Sequence, residues 1–307
     1  MVQYIGKRLL AAIPVLWGVA TLVFLAIRLV PGDPAEAILA QSGGSNDSLV
    51  KLRAQLGLDA PLHVQYARFL GNILRGDLGR SIFTNRPVIQ TIGEQLPHTV
   101  QLALSAMAIA IVVGGVLGSI AALKSGSWID TLCMILAVIG VSTPVFWSAL
   151  LFILLFTTTL HWLPATGQGD LHHLIMPALV LGLASSGTIA RLVRSSLLEV
   201  LSQDYIVVAR SKGLSEGKVF LRHALRNSLI PTVTVIGLQF GFLLGGAVVT
   251  ETVFSRQGMG RLIVDAILWK DFPLIQGIVL LSAVLYTLVN LAVDISYAFL
   301  DPRIRHE

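Results

Sequence analysis

The residues best suited to chemistry in this sequence are its histidines, and their spacing argues against a catalytic or metal centre. Only His172 and His173 are adjacent. Neighbouring residues on a helix point about 100° apart, so these imidazoles do not converge on one ion. A metal site there is the weaker alternative to a pair of interfacial polar residues. The sequence also contains no HExxH, GxSxG or Walker A motif. We therefore expect no enzyme, and no cofactor or metal held by this chain.

A polar segment between two apolar runs, residues 204–231, carries the most informative pattern. Gly213 stands between two short helical stretches, where a glycine that ends a helix is expected, and Ser215 can cap the second stretch. Cations recur there every four residues beside an apolar row: Lys218, Arg222 and Arg226 beside Leu221, Leu225 and Leu229. The pattern indicates a helix that docks on a partner. The alternative is a basic loop that follows the positive-inside rule and contacts lipid phosphates.

The composition identifies the class of protein that carries this segment. Of the 307 residues, 54% are hydrophobic and 13% are charged, and the mean hydropathy is +0.78. Soluble domains carry about 25% charged residues. Apolar runs of about 20 residues recur along the chain, so we predict an all-α polytopic membrane protein. The net charge of +5 then reflects membrane topology, and we expect no nucleic-acid partner.

Six apolar runs are long enough to cross a membrane. They lie near residues 9–29, 99–123, 130–160, 174–194, 230–250 and 273–299. The third is interrupted at Ser142-Thr-Pro144, because proline removes a helical hydrogen bond. A polar segment follows the first run, and we expect it to hold two short helices, one of them capped by Ser48. We predict that the stretch 251–272 forms a re-entrant or interfacial element.

The distribution of cations predicts the topology. The segments that we place inside hold most of them: Lys7, Arg8, Lys124, Arg191, Arg194, Arg210, Lys212, Lys218, Arg222, Arg226, Arg303 and Arg305. The short outer loops hold Arg256, Arg261 and Lys270. Six spans with both termini in the cytoplasm satisfy this bias. We divide the chain into residues 1–97, the first span with an extracytoplasmic helical segment, and residues 98–307, a five-helix core that includes a cytoplasmic loop at about 195–229.

Small residues and one carboxylate within the spans are candidates for packing or function. Gly237, Gly241 and Gly245 form a stripe on the fifth span, and Gly114 and Gly118 repeat the spacing on the second. Such stripes let another helix approach closely. The fifth-span stripe can pack within the subunit, form a dimer seam or line a pore, and Pro144 is a further packing or pore candidate. Asp294, in an apolar context, is a functional candidate, but a structural ion pair with Arg191 or Arg194 is favoured over that role.

Short motifs along nearly the whole chain resemble one family. In chain order they are Lys7-Arg8 with Ile13-Pro14, Pro31-Gly-Asp-Pro34, Leu56-Gly-Leu-Asp59, Gly76-Asp-Leu-Gly79, Arg194-Ser-Ser196, Asp204-Tyr205, Ala209-Arg-Ser-Lys-Gly213, His223-Ala-Leu-Arg-Asn227, Gly258-Met-Gly-Arg261 and Asp301-Pro-Arg-Ile-Arg305. With these motifs taken together, the chain resembles the permease subunits of bacterial ABC importers of the dipeptide, oligopeptide and nickel group. The resemblance implies a type I importer permease fold in the bacterial cytoplasmic membrane.

The resemblance also implies roles for residues and partners. Segment 204–231 corresponds to the importer coupling motif, in which Val207 and Val208 replace the usual Glu and first Ala. The coupling residues would be Ala209, Gly213, Leu214, Ser215, His223, Arg226 and Asn227. The implied partners are a second related permease, two ATPases that use ATP, an extracytoplasmic binding protein and membrane lipid. The implied substrates are short peptides, with nickel chelates or glutathione as alternatives.

A secondary transporter is a different class of function, and the sequence disfavours it. Proton-coupled transport calls for buried carboxylates near the middle of the bilayer. We find none in the second to fifth predicted spans.

Overall fold

In the computed structural model, residues 2–29, 53 and 59–300 are described. The helices among them are α1 Val2–Leu29, α2 Leu62–Leu74, α3 Val88–Leu123, α4 Trp128–Ser142, α5 Val145–Phe152, α6 Leu171–Leu201, α7 Asp204–Ser211, α8 Glu216–Lys218, α9 Arg226–Gly246, α10 Val248–Val253, α11 Met259–Leu268 and α12 Phe272–Leu300. Two π-helical segments, Ile153–Thr159 and Val219–Leu225, follow α5 and α8. The helix predicted after Ser48 and the tail 301–307 lie outside the described residues.

Up to six membrane spans can be built from these helices, as the sequence predicted. Four helices are long and apolar enough on their own: Gly6–Leu29, Val88–Leu123, Leu171–Leu201 and Phe272–Ile295. Two bent pairs qualify when each is counted as one span. Trp128–Ser142 with Val145–Thr159 is bent by 102°, and Glu216–Leu229 with Pro231–Leu244 is bent by 52°.

The predicted interruption of the third span is confirmed, and it is larger than a kink. α4 ends at Ser142 and Pro144 precedes the first residue of α5 with an extended ψ of 133°. Proline has no N–H to continue the helical ladder. The last carbonyl bonded before the break is that of Ile139, which accepts from both the backbone N–H and the hydroxyl of Thr143, at 3.0 and 2.7 Å. At about 1.5 Å per residue, the 15 residues of α4 cover roughly 22 Å, less than the bilayer core of about 30 Å.

α3 begins earlier than predicted and crosses the proposed division between residues 97 and 98. The helix starts at Val88 and continues through Pro97. Val88 and Ile92 are buried against α12, in one cluster with Leu274 and Ile278. This apolar burial extends the helix beyond the run that hydropathy alone marks.

Glycines bring α3 and α6 into backbone contact. A Cβ added at Gly118 would lie 2.5 Å from the Ala190 carbonyl oxygen and 2.8 Å from the Val193 Cβ. One added at Gly114 would lie 2.6 Å from the Ser186 carbonyl oxygen. The close approach predicted from the Gly114–Gly118 spacing is therefore confirmed, and its partner is α6. The largest buried apolar cluster among the described residues surrounds this seam.

Candidate functional site

The segment predicted to couple to a partner folds as two short helices, α7 and α8, joined at Gly213. Gly213 has φ +76°, and its N–H donates to the Arg210 carbonyl at 2.9 Å. A Cβ added there would meet nothing within 4 Å. Glycine is favoured at this position by backbone conformation, since side chains disfavour positive φ. This confirms the predicted helix-ending glycine.

Ser215 occupies the N-cap position of α8, but its side chain makes no capping hydrogen bond. The predicted side-chain cap is therefore wrong. Ser215 is exposed, so water can solvate its hydroxyl, while its carbonyl accepts from the Lys218 N–H at 2.9 Å. A charged pair links the two helices instead. The Arg210 guanidinium donates to both carboxylate oxygens of Glu216, at 2.9 and 3.1 Å.

The predicted apolar row on the second stretch does not form one buried face. Residues 219–225 are π-helical. Because a π turn is wider than an α turn, residues four positions apart no longer lie on the same face. Val219, Ala224 and Ser228 are the buried positions, whereas Leu221 is 65% exposed. The cations Lys218, Arg222 and Arg226 are all exposed. The exposed side chains of this stretch are therefore apolar and basic. Its small buried side chains pack against the rest of the chain.

The residues predicted to couple to the ATPases differ in how they are held by the rest of the chain. Ala209 is buried in the main core together with Ile206 of the same helix, and His223 is half-buried. The Asn227 amide donates to the Tyr205 hydroxyl at 2.9 Å. All of residues 210–218 are exposed, including Gly213, Leu214 and Ser215, as are Arg226 and Asn227. We name residues 210–218 the coupling tip. Exposed apolar side chains of α7 lie next to it: Tyr205, Val207 and Val208.

The ion pairs differ from those predicted. Asp294 pairs with Arg8 of α1 at 3.1 Å, not with Arg191 or Arg194. The cause is tertiary: α1 packs along α12, which carries Asp294. Arg194 donates twice, at 2.6 Å each, to the Asp130 carboxylate at the start of α4. Arg191 is exposed.

The glycine stripe on α9 faces α12 of the same chain. A Cβ at Gly241 would lie 2.8 Å from the Tyr286 ring, and one at Gly237 would collide with Val293. Packing within the subunit is therefore the alternative that the structure supports for these two glycines. Gly245 lies within α9, and its packing falls outside the described contacts.

The histidine pair lies at the start of α6. His172 is exposed, and His173 is half-buried beside the loop glycines Gly167 and Gly169. No group of three possible metal ligands lies together among the residues that the structure describes.

Sequence reasoning missed a buried polar cluster at the opposite end of the bundle from the coupling tip. Glu251 of α10 is 0% exposed. Its carboxylate accepts from the Thr99 hydroxyl of α3 at 2.7 Å and from the Arg261 N–H of α11 at 3.1 Å. The Gly260 N–H donates to it as well. The Thr99 hydroxyl in turn accepts from the Met259 N–H at 2.8 Å.

A buried arginine of the same chain, Arg256, balances the charge of Glu251 in this cluster. Arg256 is 2% exposed, and its guanidinium donates to the Gln101 side-chain oxygen at 2.9 Å. Burial raises the pKa of Glu251, and the hydrogen bonds that it accepts and the charge of Arg256 oppose that rise. Burial lowers the pKa of Arg256, and the charge of Glu251 opposes that change.

A second buried carboxylate, Asp271, fixes the loop that precedes α3. It is 0% exposed and accepts from the Ser81 hydroxyl at 2.5 Å, and from the backbone N–H groups of Ile82 and Leu274 at 3.2 and 3.3 Å. Asp271 thus joins this loop to the first turn of α12.

The arrangement of helices matches that of solved ABC transporter structures. The solved structure of the MetNI methionine ABC transporter, in an inward-facing conformation, matches with a TM-score of 0.59 at 17% identity, over 69% of this chain and 97% of that chain. An amino acid ABC transporter matches with a TM-score of 0.50 at 15% identity, over 70% and 94%. The fold is that of a type I ABC importer permease, as the resemblance implied.

The chain belongs to the family of binding-protein-dependent transport system inner membrane components, whose model matches residues 114–306. The model of the N-terminal part of such membrane components matches residues 1–103. A peptide transport system permease protein of Brucella abortus is 46% identical over the full length of both chains. The glutathione transport system permease protein GsiC of Salmonella typhimurium is 45% identical, again over both full lengths. Membership in this family confirms the predicted permease class, as opposed to an enzyme.

Proposed function

We propose that the protein is a permease subunit of an ATP-driven importer that carries short peptides across the bacterial cytoplasmic membrane. The observation that carries the proposal is the full-length match, at 45–46% identity, to permeases named for peptide and glutathione transport. Glutathione is itself a small peptide, so both names describe one chemical class. Glutathione is the second candidate for the same reason.

Coupling to ATP is assigned to the coupling tip. Every residue of the tip is exposed, and α7 carries buried Ile206 and Ala209 that join it to the core. Two ATPase subunits that close on ATP would grip this surface and move the helices between inward- and outward-facing states. ATP can drive the change only if the ATPases favour one of these states. The exposed apolar side chains Val207, Val208 and Leu214 suit burial in an ATPase groove.

The remaining partners are a second related permease and an extracytoplasmic binding protein. α4 and α5 expose large apolar side chains, among them Ile135, Phe146, Trp147 and Leu150. In a membrane, lipid or a neighbouring permease covers such a surface, and a shared pore requires the neighbour on one flank. The binding protein would meet the end of the bundle that holds Glu251 and Asp271.

Gly213→Val tests the coupling role. Valine at φ +76° is a steric outlier, so we expect α8 to be misdirected while the spans still insert. Reconstituted complexes should then lose uptake, and they should lose the stimulation of ATP hydrolysis by loaded binding protein. The matched control is Gly217→Ala, because Gly217 lies in the same tip with open space around it and no positive φ. Normal uptake and stimulation in Gly213→Val would make the tip an ordinary basic connector.

The substrate is tested on the binding protein, which selects the ligand. Calorimetry with dipeptides, oligopeptides, glutathione and nickel chelates, followed by uptake with the reconstituted complex, separates the candidates. Binding and uptake of a nickel chelate alone would overturn the peptide assignment.

A further inference from the structure

The motif Gly258-Met-Gly-Arg261 lies outside the predicted coupling segment, and the structure shows what surrounds its glycines. A Cβ at Gly258 would collide with the Glu251 carboxylate, and one at Gly260 would lie 2.6 Å from the Val248 Cα and 3.0 Å from a carboxylate oxygen of Glu251. The missing side chains let the carboxylate reach the first backbone N–H groups of α11. The motif therefore forms the binding site for the Glu251 side chain within the same chain.

Thr99 connects this binding site to α3. Its hydroxyl donates to Glu251 at 2.7 Å and accepts from Met259 at 2.8 Å, and the side chain is 1% exposed. One hydroxyl thus links α3, α10 and the start of α11. A charge-assisted hydrogen bond in a buried site is stronger than a neutral one and costly to leave unmade.

We propose that Glu251 and Thr99 are positioning residues for transport, which hold the α10–α11 hairpin on α3 and so set the surface that a loaded binding protein meets. The inference rests on the proposed importer function. Thr99 lies 24 residues before the end of α3 at Leu123, or roughly 36 Å along the helix. The cluster is therefore remote from the coupling tip. Its loss should change the response to binding protein and leave the basal ATPase rate unchanged.

The test compares Thr99→Val with Thr99→Ser in the reconstituted complex. Valine keeps the shape of threonine and removes the hydroxyl, and serine keeps the hydroxyl. We expect Thr99→Val to raise the half-saturating concentration of loaded binding protein in the ATPase assay on the order of tenfold. Basal hydrolysis should stay at the wild-type rate, and Thr99→Ser should restore the wild-type response. Glu251→Gln should behave as Thr99→Val, and the double variant should be no worse than either single one.

The matched control is Thr252→Val on α10. Thr252 is exposed, and its hydroxyl bonds only to its own helix, donating to the Val248 carbonyl at 2.7 Å, so this variant should match the wild type. A wild-type response in Thr99→Val would overturn the proposal. So would a Thr99→Val complex that fails to assemble, since Thr99 would then serve folding alone. The wild-type complex separates failure of this proposal from failure of the proposed importer function. If loaded binding protein does not stimulate ATP hydrolysis by the wild-type complex, the importer function itself is refuted.

Discussion

Adding a methyl group at Gly118 should separate α3 from α6, and a nearby glycine provides a control. Gly118 is buried in the seam, and its new Cβ would lie 2.5 Å from the Ala190 carbonyl oxygen. Gly115 lies one turn away on α3, and a Cβ there would meet nothing within 4 Å. The pair Gly118→Ala and Gly115→Ala therefore compares the same chemical change with and without a helix in the way.

The expected difference follows from two opposed terms. Replacing glycine by alanine inside a helix favours folding by about 0.8–1.0 kcal/mol at either position. At Gly118 the methyl group must also displace backbone, which does not rotate away as a side chain does, and overpacking of this kind costs about 1–3 kcal/mol. We therefore expect Gly118→Ala to be about 1–3 kcal/mol less stable than Gly115→Ala.

Thermal unfolding of the purified protein in detergent measures this difference. At about 2–4 °C per kcal/mol, Gly118→Ala should unfold several degrees below Gly115→Ala, and the latter should match or exceed the wild type. Equal unfolding temperatures for the two variants would refute the seam, because α3 and α6 would then have room for a side chain at Gly118.

Two further predictions concern ion pairs and the α9 glycines. Asp130→Asn should destabilise the protein more than Asp294→Asn, since it leaves the half-buried Arg194 without its bidentate partner, whereas Asp294→Asn should cost about 1 kcal/mol or less because its partner is exposed. Thermal unfolding compares the two variants, and equal losses would contradict the assignment. Gly241→Leu should lower stability through collision with Tyr286 of the same chain, and a variant that unfolds like the wild type but fails to join a second permease would instead place the glycine at a subunit seam.

Local sequence patterns predicted the features that depend on local causes. Hydropathy located the long spans, because length and apolar composition alone decide whether a helix can cross a bilayer. Gly213 and Pro144 were predicted correctly as break points, since one favours a positive φ and the other lacks an N–H.

Features that depend on distant parts of the chain were not predictable in this way. Thr99 and Glu251 are 152 positions apart, and nothing in either neighbourhood marks the other. Asp294 was assigned to the wrong arginine for the same reason, because the pairing follows from the packing of α1 on α12. The only available signal for the buried cluster was the unexplained pair of glycines in Gly258-Met-Gly-Arg261.

The contact between α3 and α6 also has a mechanical consequence. Where two helices meet through backbone and glycine, few rotamers are available to absorb a displacement, so the pair resists sliding more than an interface of long side chains. Together α3 and α6 form a rigid unit that extends from the neighbourhood of Thr99 to the junction with α7. Bending must then occur elsewhere, and the 102° break at Pro144 and the π-helical turn Val219–Leu225 are two of the places where regular α-helix is interrupted. A force applied at the coupling tip would then be absorbed by bending at such interruptions, while α3 and α6 move together as one rigid unit.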